Sequence, residues 1–230
     1  MRIAGGEIVV AKIGDAQVLF SVRQPNDFIR RYHRAGRFYE ESERSVLRDV
    51  LPKNAVYVDI GANIGNHALY VAKFLEPAKI IPFEPNRPAI RILIENICLN
   101  GLLPMFDLAH LGLGLTDKDA EGFRMETPLA TNLGMTHMVE GGGNIPLMTG
   151  DTALADELRI DLIKIDIEGM EMLALAGLTE TLIRTRPIVL IEIDHGNRAR
   201  FDAWLNDAGY QVSQTFPKMA ANQNFLTEPA

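Results

Sequence analysis

Val58-Asp59-Ile60-Gly61-Ala62-Asn63-Ile64-Gly65-Asn66-His67 decides how this chain folds. A short apolar run, Ala55–Ile60, enters a glycine turn and leaves it in a helical pattern over Asn66–Leu75, which Pro77 stops. Strands that read apolar without alternation are buried on both faces, as in a parallel sheet covered by helices. In open sheets of this kind, ligands bind beyond the carboxyl ends of the strands. Gly61 lets the backbone turn and approach a ligand closely. Gly65 opens the helix start, whose free N–H groups suit a carboxylate. The Gly-x-x-x-Gly spacing is not the Gly-x-Gly-x-x-Gly of dinucleotide sites, and it lacks the Lys-Ser/Thr ending of a phosphate loop. The ligand therefore need not carry a pyrophosphate. Asp59 sets a carboxylate at the strand mouth, where it suits an ammonium group or ordered water.

Downstream the strand–helix alternation continues. Lys79–Phe83 reads as a second strand and ends in Phe83-Glu84-Pro85-Asn86. Glu84, 25 residues beyond Asp59, can accept two hydrogen bonds from the vicinal hydroxyls of a ribose. A carboxylate at the glycine turn, an ammonium near Asp59 and a ribose on Glu84 together describe S-adenosylmethionine. The plainer alternative is a packing turn whose acids cap helices.

Pro88–Leu99 reads as a helix stopped by Asn100-Gly101, and Phe106–Leu113 as a third strand. Asp151–Leu158 is a short helix, Ile160–Ile165 a fourth strand, Met170–Ile183 a long helix and Pro187–Ile193 a fifth strand. Arg198–Ala208 is a helix ended by Gly209. Tyr210–Thr215 and Asn224–Thr227 close the sheet.

Upstream, Glu7–Ile13 and Gln17–Val22 suggest a hairpin around Gly14-Asp15. Asn26 caps a short helix through Arg34, and Ser42–Leu51 has helical spacing before Pro52. The chain thus divides into an extension, 1–52, and a core, 53–230. An irregular, glycine-rich insertion or lid lies at 116–150.

Leu162-Ile163-Lys164-Ile165-Asp166-Ile167-Glu168-Gly169-Met170-Glu171 ends the fourth strand in two acids. Period two places Asp166 and Glu168 on one side, facing the same mouth as Asp59. They can orient or deprotonate an acceptor hydroxyl, with Lys164 neutralising one of them. Glu171 reads as a first-turn acid favoured by the helix dipole. The fifth strand runs into Ile193-Asp194-His195-Gly196-Asn197, where His195 is a candidate general base. Asp166, Asp194, His195 and Asn197 could group around a divalent cation, but acids at strand mouths arise without one and no metal is assigned. His67 reads as a helix-surface residue, and Cys98 as a small buried hydrophobe.

Composition narrows the class. The 230 residues are 47% apolar and 23% charged, which excludes a mainly disordered chain. No apolar run reaches the length of a membrane span. The net charge of −7 weighs against a nucleic-acid partner. One cysteine cannot form an internal disulfide, and Met1–Gly6 lacks a secretory apolar stretch; both point to the cytoplasm.

These residues resemble the FkbM family of S-adenosylmethionine-dependent methyltransferases. The resemblance runs through Asp27-Phe28-Ile29, Gly36-Arg37-Phe38-Tyr39-Glu40, Val58–His67, Phe83-Glu84-Pro85-Asn86 and Asn96–Asn100. It continues in Leu162–Glu171, Arg186-Pro187, Ile191-Glu192-Ile193, Gly209-Tyr210 and Asn222–Leu226. The glycine turn alone is generic to methyltransferases, whereas its combination with Lys164–Glu171 is more specific. The resemblance implies an α/β class I methyltransferase fold, Rossmann-like and doubly wound, with a mostly parallel seven-stranded sheet whose last strand is antiparallel. It implies that Asp59, Gly61, Asn63, Gly65 and Glu84, with Pro85 and Asn86, bind S-adenosylmethionine and release S-adenosylhomocysteine, while Tyr39 and Glu40 flank the methionine end. It further implies O-methylation of a sugar, glycan or natural product, with Asp166, Glu168 or His195 serving the acceptor. An amino acceptor and a cofactor-binding module without catalysis are the competing readings.

Overall fold

The computed structural model describes residues 1–3, 5–23, 28–126, 137–217 and 221–230. The extension opens with β1 (Arg2–Ile3), β2 (Gly6–Ile13) and β3 (Ala16–Arg23), a three-stranded antiparallel sheet. Ile13 pairs with Ala16, so Gly14-Asp15 is a two-residue loop, tighter than the sequence suggests. Gly14 has φ +58°, the conformation glycine supplies at the first central position of a type II′ hairpin. Helices α1 (Phe28–Arg34) and α2 (Glu41–Val50) follow. The expected cap, Asn26, lies outside the described residues.

The core begins with β4 (Val56–Ile60), α3 (Asn66–Phe74), β5 (Lys79–Phe83) and α4 (Arg87–Leu99). Next come four short strands, β6 (Gly114–Thr116), β7 (Ala120–Glu126), β8 (His137–Glu140) and β9 (Ile145–Thr149), and then α5 (Gly150–Ala153). The alternation resumes with β10 (Leu162–Ile165), α6 (Glu171–Ala176), α7 (Thr179–Thr185) and β11 (Ile188–Asp194). Helix α8 (Arg198–Ala208), β12 (Tyr210–Thr215) and β13 (Asn222–Pro229) complete the chain.

The main sheet has the order β12-β13-β11-β10-β4-β5. β11, β10, β4 and β5 are parallel, and β13 is antiparallel to both its neighbours. The described residues thus form six strands in this sheet, not seven. The expected third strand, Phe106–Leu113, makes only single bridges, Ile80 with Phe106 and Glu84 with Leu111. Between them Asp107 Oδ1 accepts the Ala109 N–H at 3.1 Å. Such a local turn competes with a ladder.

Two further expectations are corrected. The helix over Met170–Ile183 is broken at Gly177, where a Cβ would lie 2.0 Å from the Thr116 carbonyl oxygen. The segment 116–150 is no irregular loop in its described part. It belongs to a second sheet of order β6-β9-β7-β8 that starts at Gly114. Glycines among its described residues set turns and a bulge. Gly141 and Gly142 have positive φ between β8 and β9, and Gly122 (φ +88°) sits where β7 slips register against β9, as bulge glycines do.

The core lies on both faces of the main sheet. On one, Phe20 and Leu47 of the extension share a buried cluster with Tyr57, Leu69 and Leu93. On the other, Val58, Ile163 and Ile191 pack with Leu175 and Phe201. Helix α4 joins extension to core. Asn100 both accepts from and donates to the Leu19 backbone, at 2.9 and 2.7 Å. One turn earlier, the buried Asn96 accepts the Ser21 N–H at 2.7 Å and donates to the Ile64 carbonyl at 2.8 Å. Amide side chains thus cover the edge of β3 and tie it to the glycine turn. Asn96→Ala leaves two buried backbone groups unpaired and is expected to destabilise the fold by about 2–3 kcal/mol, measured by urea unfolding. Cys98 is exposed, because α4 turns Leu93, Asn96 and Ile97 inward.

Candidate active site

Strand register assembles the site. Asp59 of β4 is level with Lys164 of β10, and Ile60, Ile165 and Ile191 are level across three strands. Gly61, Asp166 and Glu192 therefore emerge side by side at the carboxyl end. The Gly61 and Ala62 N–H groups both donate to the Phe83 carbonyl, at 2.9 and 3.0 Å, which turns the chain. Gly61 has φ +85°, and a Cβ there would lie 1.9 Å from the Asp166 carbonyl oxygen. Gly65 has φ +88° and precedes α3.

The mouth is a cavity of about 270 Å³. Tyr39, Glu40, Asp59, Gly61, Asn63, Glu84, Pro85, Asn86, Asp166 and Glu168 line it, each of them expected from sequence. Leu113, Gly114, Leu115, Met125, Met138 and Met170 give it an apolar part, so the small sheet reaches the cavity through the start of β6 and through Met125 and Met138.

Glu84 is buried and firmly oriented. Its Oε2 accepts the Asn63 N–H at 2.8 Å and its Oε1 the Asn86 N–H at 2.7 Å. Each oxygen keeps a further accepting lone pair. Burial pushes Glu84 up to about 7 against these two hydrogen bonds. Asp59 is 1% exposed, and neither of its oxygens has a hydrogen-bond partner. Lys164 Nζ stands 4.0 Å away. Burial pushes Asp59 up to about 6, opposed by Lys164.

Asn66 brings the extension to the turn. Its Oδ1 accepts the Tyr39 N–H at 2.9 Å and its Nδ2 donates to the Tyr39 carbonyl at 3.1 Å. Glu40 then takes φ +56°, a strained conformation for a residue other than glycine. Its carboxyl lies 3.4 Å from His67 Nε2. Burial pushes Glu40 up, with Asp166 adding to the effect. His67 is buried, not on the helix surface as expected, and burial holds its pKa well below the usual histidine value.

On the other side, Lys164 Nζ pairs with Asp166 Oδ2 at 3.0 Å, as its place in the strand suggested. Glu168 has φ +52°; burial, then Asp166, push it up to about 7. Glu192, which the sequence reading left without a role, faces them and accepts from Asn222 Nδ2 at 2.6 Å. An acid inside the apolar run Ile188–Ile193 was the available signal. One oxygen from each of Asp166, Glu168 and Glu192 lies within 4.8 Å of the others.

His195 is not brought to the site. It is exposed and lines a separate small cavity with Asp194 and Arg198. The cause is β13, which keeps pairing with β11 to Asp194 and takes the His195 N–H on the Ala221 carbonyl. The strand runs past the mouth before His195 begins. The cation set of Asp166, Asp194, His195 and Asn197 is likewise not the group the fold assembles; that group is Asp166, Glu168 and Glu192.

The acids at the mouth set a pH dependence. Asp59 and Glu84, both buried, bind protons more tightly folded than unfolded. Between pH 4 and the folded values of about 6 to 7 the folded state holds more protons, so stability falls as pH rises through that window. Without ligand, Tm is expected to drop by about 10 °C, on the order of 3 kcal/mol, from pH 5 to pH 8. Scanning calorimetry at fixed ionic strength measures this.

The parallel sheet with its last strand reversed, and acids at the mouths of adjacent strands, define an α/β methyltransferase-like fold. The model of the "Methyltransferase FkbM domain" matches residues 59–212. The chain belongs to the FkbM methyltransferase family.

It is 28% identical over 207 residues to "Methyltransferase sdnD" of Sordaria araneosa, covering 75% of this chain and 80% of that protein. It is 29% identical over 163 residues to "Hexuronic acid methyltransferase AglP" of Haloferax volcanii, covering 67% and 63%. The "AMB antimetabolite synthetase AmbE" of Pseudomonas aeruginosa is 32% identical over 212 residues, 71% of this chain, which spans a tenth of its length. Among solved structures, TYW2 of M. jannaschii in complex with AdoMet has a TM-score of 0.50 at 15% identity, covering 96% of this chain and 84% of that one. A precorrin-6y C5,15-methyltransferase of Geobacter metallireducens has a TM-score of 0.50 at 14% identity, covering 83% and 89%. At these identities the likeness speaks for the fold alone. No helix among the described residues is long and apolar enough to cross a membrane.

Proposed function

We propose that this protein transfers a methyl group from S-adenosylmethionine to a hydroxyl of a sugar, glycan, glycolipid or natural-product acceptor in the cytoplasm. The observation that carries the cofactor is Glu84. Its carboxylate is held by two backbone N–H groups, with free lone pairs for a vicinal diol. The buried oxygens of Asp59 and Asn63 that lack partners fit a polar, cationic ligand in the same cavity. Unpaired buried polar atoms are costly unless a ligand satisfies them. In this reading Glu84, Pro85 and Asn86 hold the ribose side. Asp59, Gly61, Asn63 and Gly65 shape the turn around the methionine part, and Tyr39 and Glu40 close over its end.

When bound, the cofactor supplies an electrophilic methyl group on a sulfonium. The chain's task is then to align the acceptor oxygen, exclude water and take the hydroxyl proton. Asp166 and Glu168 serve the acceptor side. The saccharide class is supported by the name of the Haloferax relative and by carboxylates that suit hydroxyl donors. The excess of acids, −7 overall, weighs against a polyanionic partner.

A radiolabelled-methyl assay against sugars, glycolipid headgroups and macrolide-like alcohols tests this. Incorporation into a hydroxyl is expected. Tight cofactor binding without turnover on any acceptor would favour a binding module instead.

A further inference from the structure

A larger cavity lies behind the Tyr39-Glu40 segment. Its volume is about 490 Å³, against about 270 Å³ for the mouth, and Tyr39 and Glu40 line both. Between the two is a gap of about 10 Å³, lined by Glu40, Glu43, Lys164, Asp166, Glu192 and Asn224. Glu43 and Asn224 also line the outer cavity, and Lys164, Asp166 and Glu192 the mouth. The three spaces are thus contiguous through shared side chains. The gap has about the room of one water or one hydroxyl.

The partition is fixed from both sides. Asn66, which lines the mouth, donates from Nδ2 to the Tyr39 carbonyl at 3.1 Å. Arg44, which lines the outer cavity, donates from Nε to the same carbonyl at 2.8 Å. Arg44 is itself held over the Tyr70 ring, 5.1 Å from its centre. In-line methyl transfer needs both reactants bound at once, with the acceptor oxygen on the far side of the methyl carbon from sulfur. A second compartment behind a fixed partition, joined by an opening of hydroxyl size, meets that need.

We propose that the outer cavity binds the acceptor, a sugar ring, which presents one hydroxyl to the cofactor through the gap. The proposal rests on the reading of the mouth as the cofactor site. The lining selects the class. The rings of Tyr32 and Tyr39, 5.1 Å apart, offer apolar faces to the C–H surface of a sugar. Arg37 supplies donors, and Glu41 acceptors, for its hydroxyls. An aliphatic ligand would meet the buried Glu43, whose two oxygens accept from Ser42 Oγ at 2.6 Å and Asn224 Nδ2 at 2.9 Å. A polyanion would meet three carboxylates, those of Glu40, Glu41 and Glu43.

Saturation-transfer NMR tests this with the methyl glycosides of glucose, galactose, mannose, rhamnose and glucuronic acid. Each is titrated without and with saturating S-adenosylhomocysteine. At least one glycoside is expected to give a signal and to keep it when S-adenosylhomocysteine is bound. Glu41→Trp fills the outer cavity from an exposed position, and Arg37→Ala removes donors from an exposed position at its edge. Each is expected to weaken that glycoside about tenfold and to leave Tm and S-adenosylhomocysteine affinity unchanged. No signal from any glycoside, with S-adenosylhomocysteine still bound, would overturn the proposal and leave the cofactor reading standing. So would displacement of the sugar by S-adenosylhomocysteine, or unaltered sugar affinity in either folded variant. Failure of S-adenosylhomocysteine to bind would refute the cofactor reading, and the acceptor role of the outer cavity with it.

Discussion

Gly61→Ala is expected to cost the fold about 3 kcal/mol or more and to abolish measurable cofactor binding. Two effects add. At φ +85° an alanine pays about 1–2 kcal/mol for the left-handed conformation. Its Cβ would also lie 1.9 Å from the Asp166 carbonyl oxygen. That carbonyl is backbone at the end of a central strand, where the Asp166 N–H already donates to the Ile60 carbonyl at 3.0 Å. It cannot swing aside as a flexible side chain would, and overpacking of this kind costs about 1–3 kcal/mol more. Relief requires β4 and β10 to separate at their mouths, which moves Asp59, Asp166 and Lys164 together. Urea unfolding reads the first effect and calorimetry the second. A variant within 1 kcal/mol of the parent that still binds cofactor would show that the turn is not the tight element described.

Glu84→Ala is the second large effect, and it falls on binding. The substitution removes the acceptor for the Asn63 and Asn86 N–H groups and the two lone pairs offered to the ribose. Hydrogen bonds to a charged group are worth about 1.5–3 kcal/mol each. Loss of the pair is expected to weaken S-adenosylhomocysteine binding by about 2–4 kcal/mol, roughly 30- to 1,000-fold. Glu84→Gln retains one carbonyl oxygen and should lose less. The thermal midpoint of the ligand-free variants separates loss of fold from loss of ligand. Unchanged affinity in a folded Glu84→Ala protein would remove Glu84 from the ribose.

The glycine-turn side of the cavity was legible because its signals are local. A buried strand, a glycine turn and a helix start follow one another in Val58–His67, and the strands on either side end in acids at comparable positions. Register then does the rest: once Ile60, Ile165 and Ile191 are level, Asp59, Glu84 and Asp166 must meet at one mouth.

The opposite side of the cavity depends on where strands stop, which sequence shows poorly. His195 looked like the end of the fifth strand, but pairing with β13 carries β11 past the mouth and leaves His195 outside it. Glu192 sits inside an apolar strand, which marks it in the sequence, but its place at the mouth follows only from strand register and from Asn222 beside it. His67 reads as helix surface, because nothing local shows that Tyr39 and Glu40 fold back over the start of α3. The second sheet was hidden for a related reason. A glycine-rich stretch suggests a loose loop, yet Gly122, Gly141 and Gly142 are bulge or turn positions in a paired strand system.

A crystal structure with S-adenosylhomocysteine bound tests the central claim most directly. The ribose hydroxyls are expected on the two Glu84 oxygens and the amino-acid end between Asp59 and the Tyr39-Glu40 segment. The sulfur is expected to face Asp166, Glu168 and Glu192. A ribose bound away from Glu84, or a sulfur turned from those three acids, would contradict it.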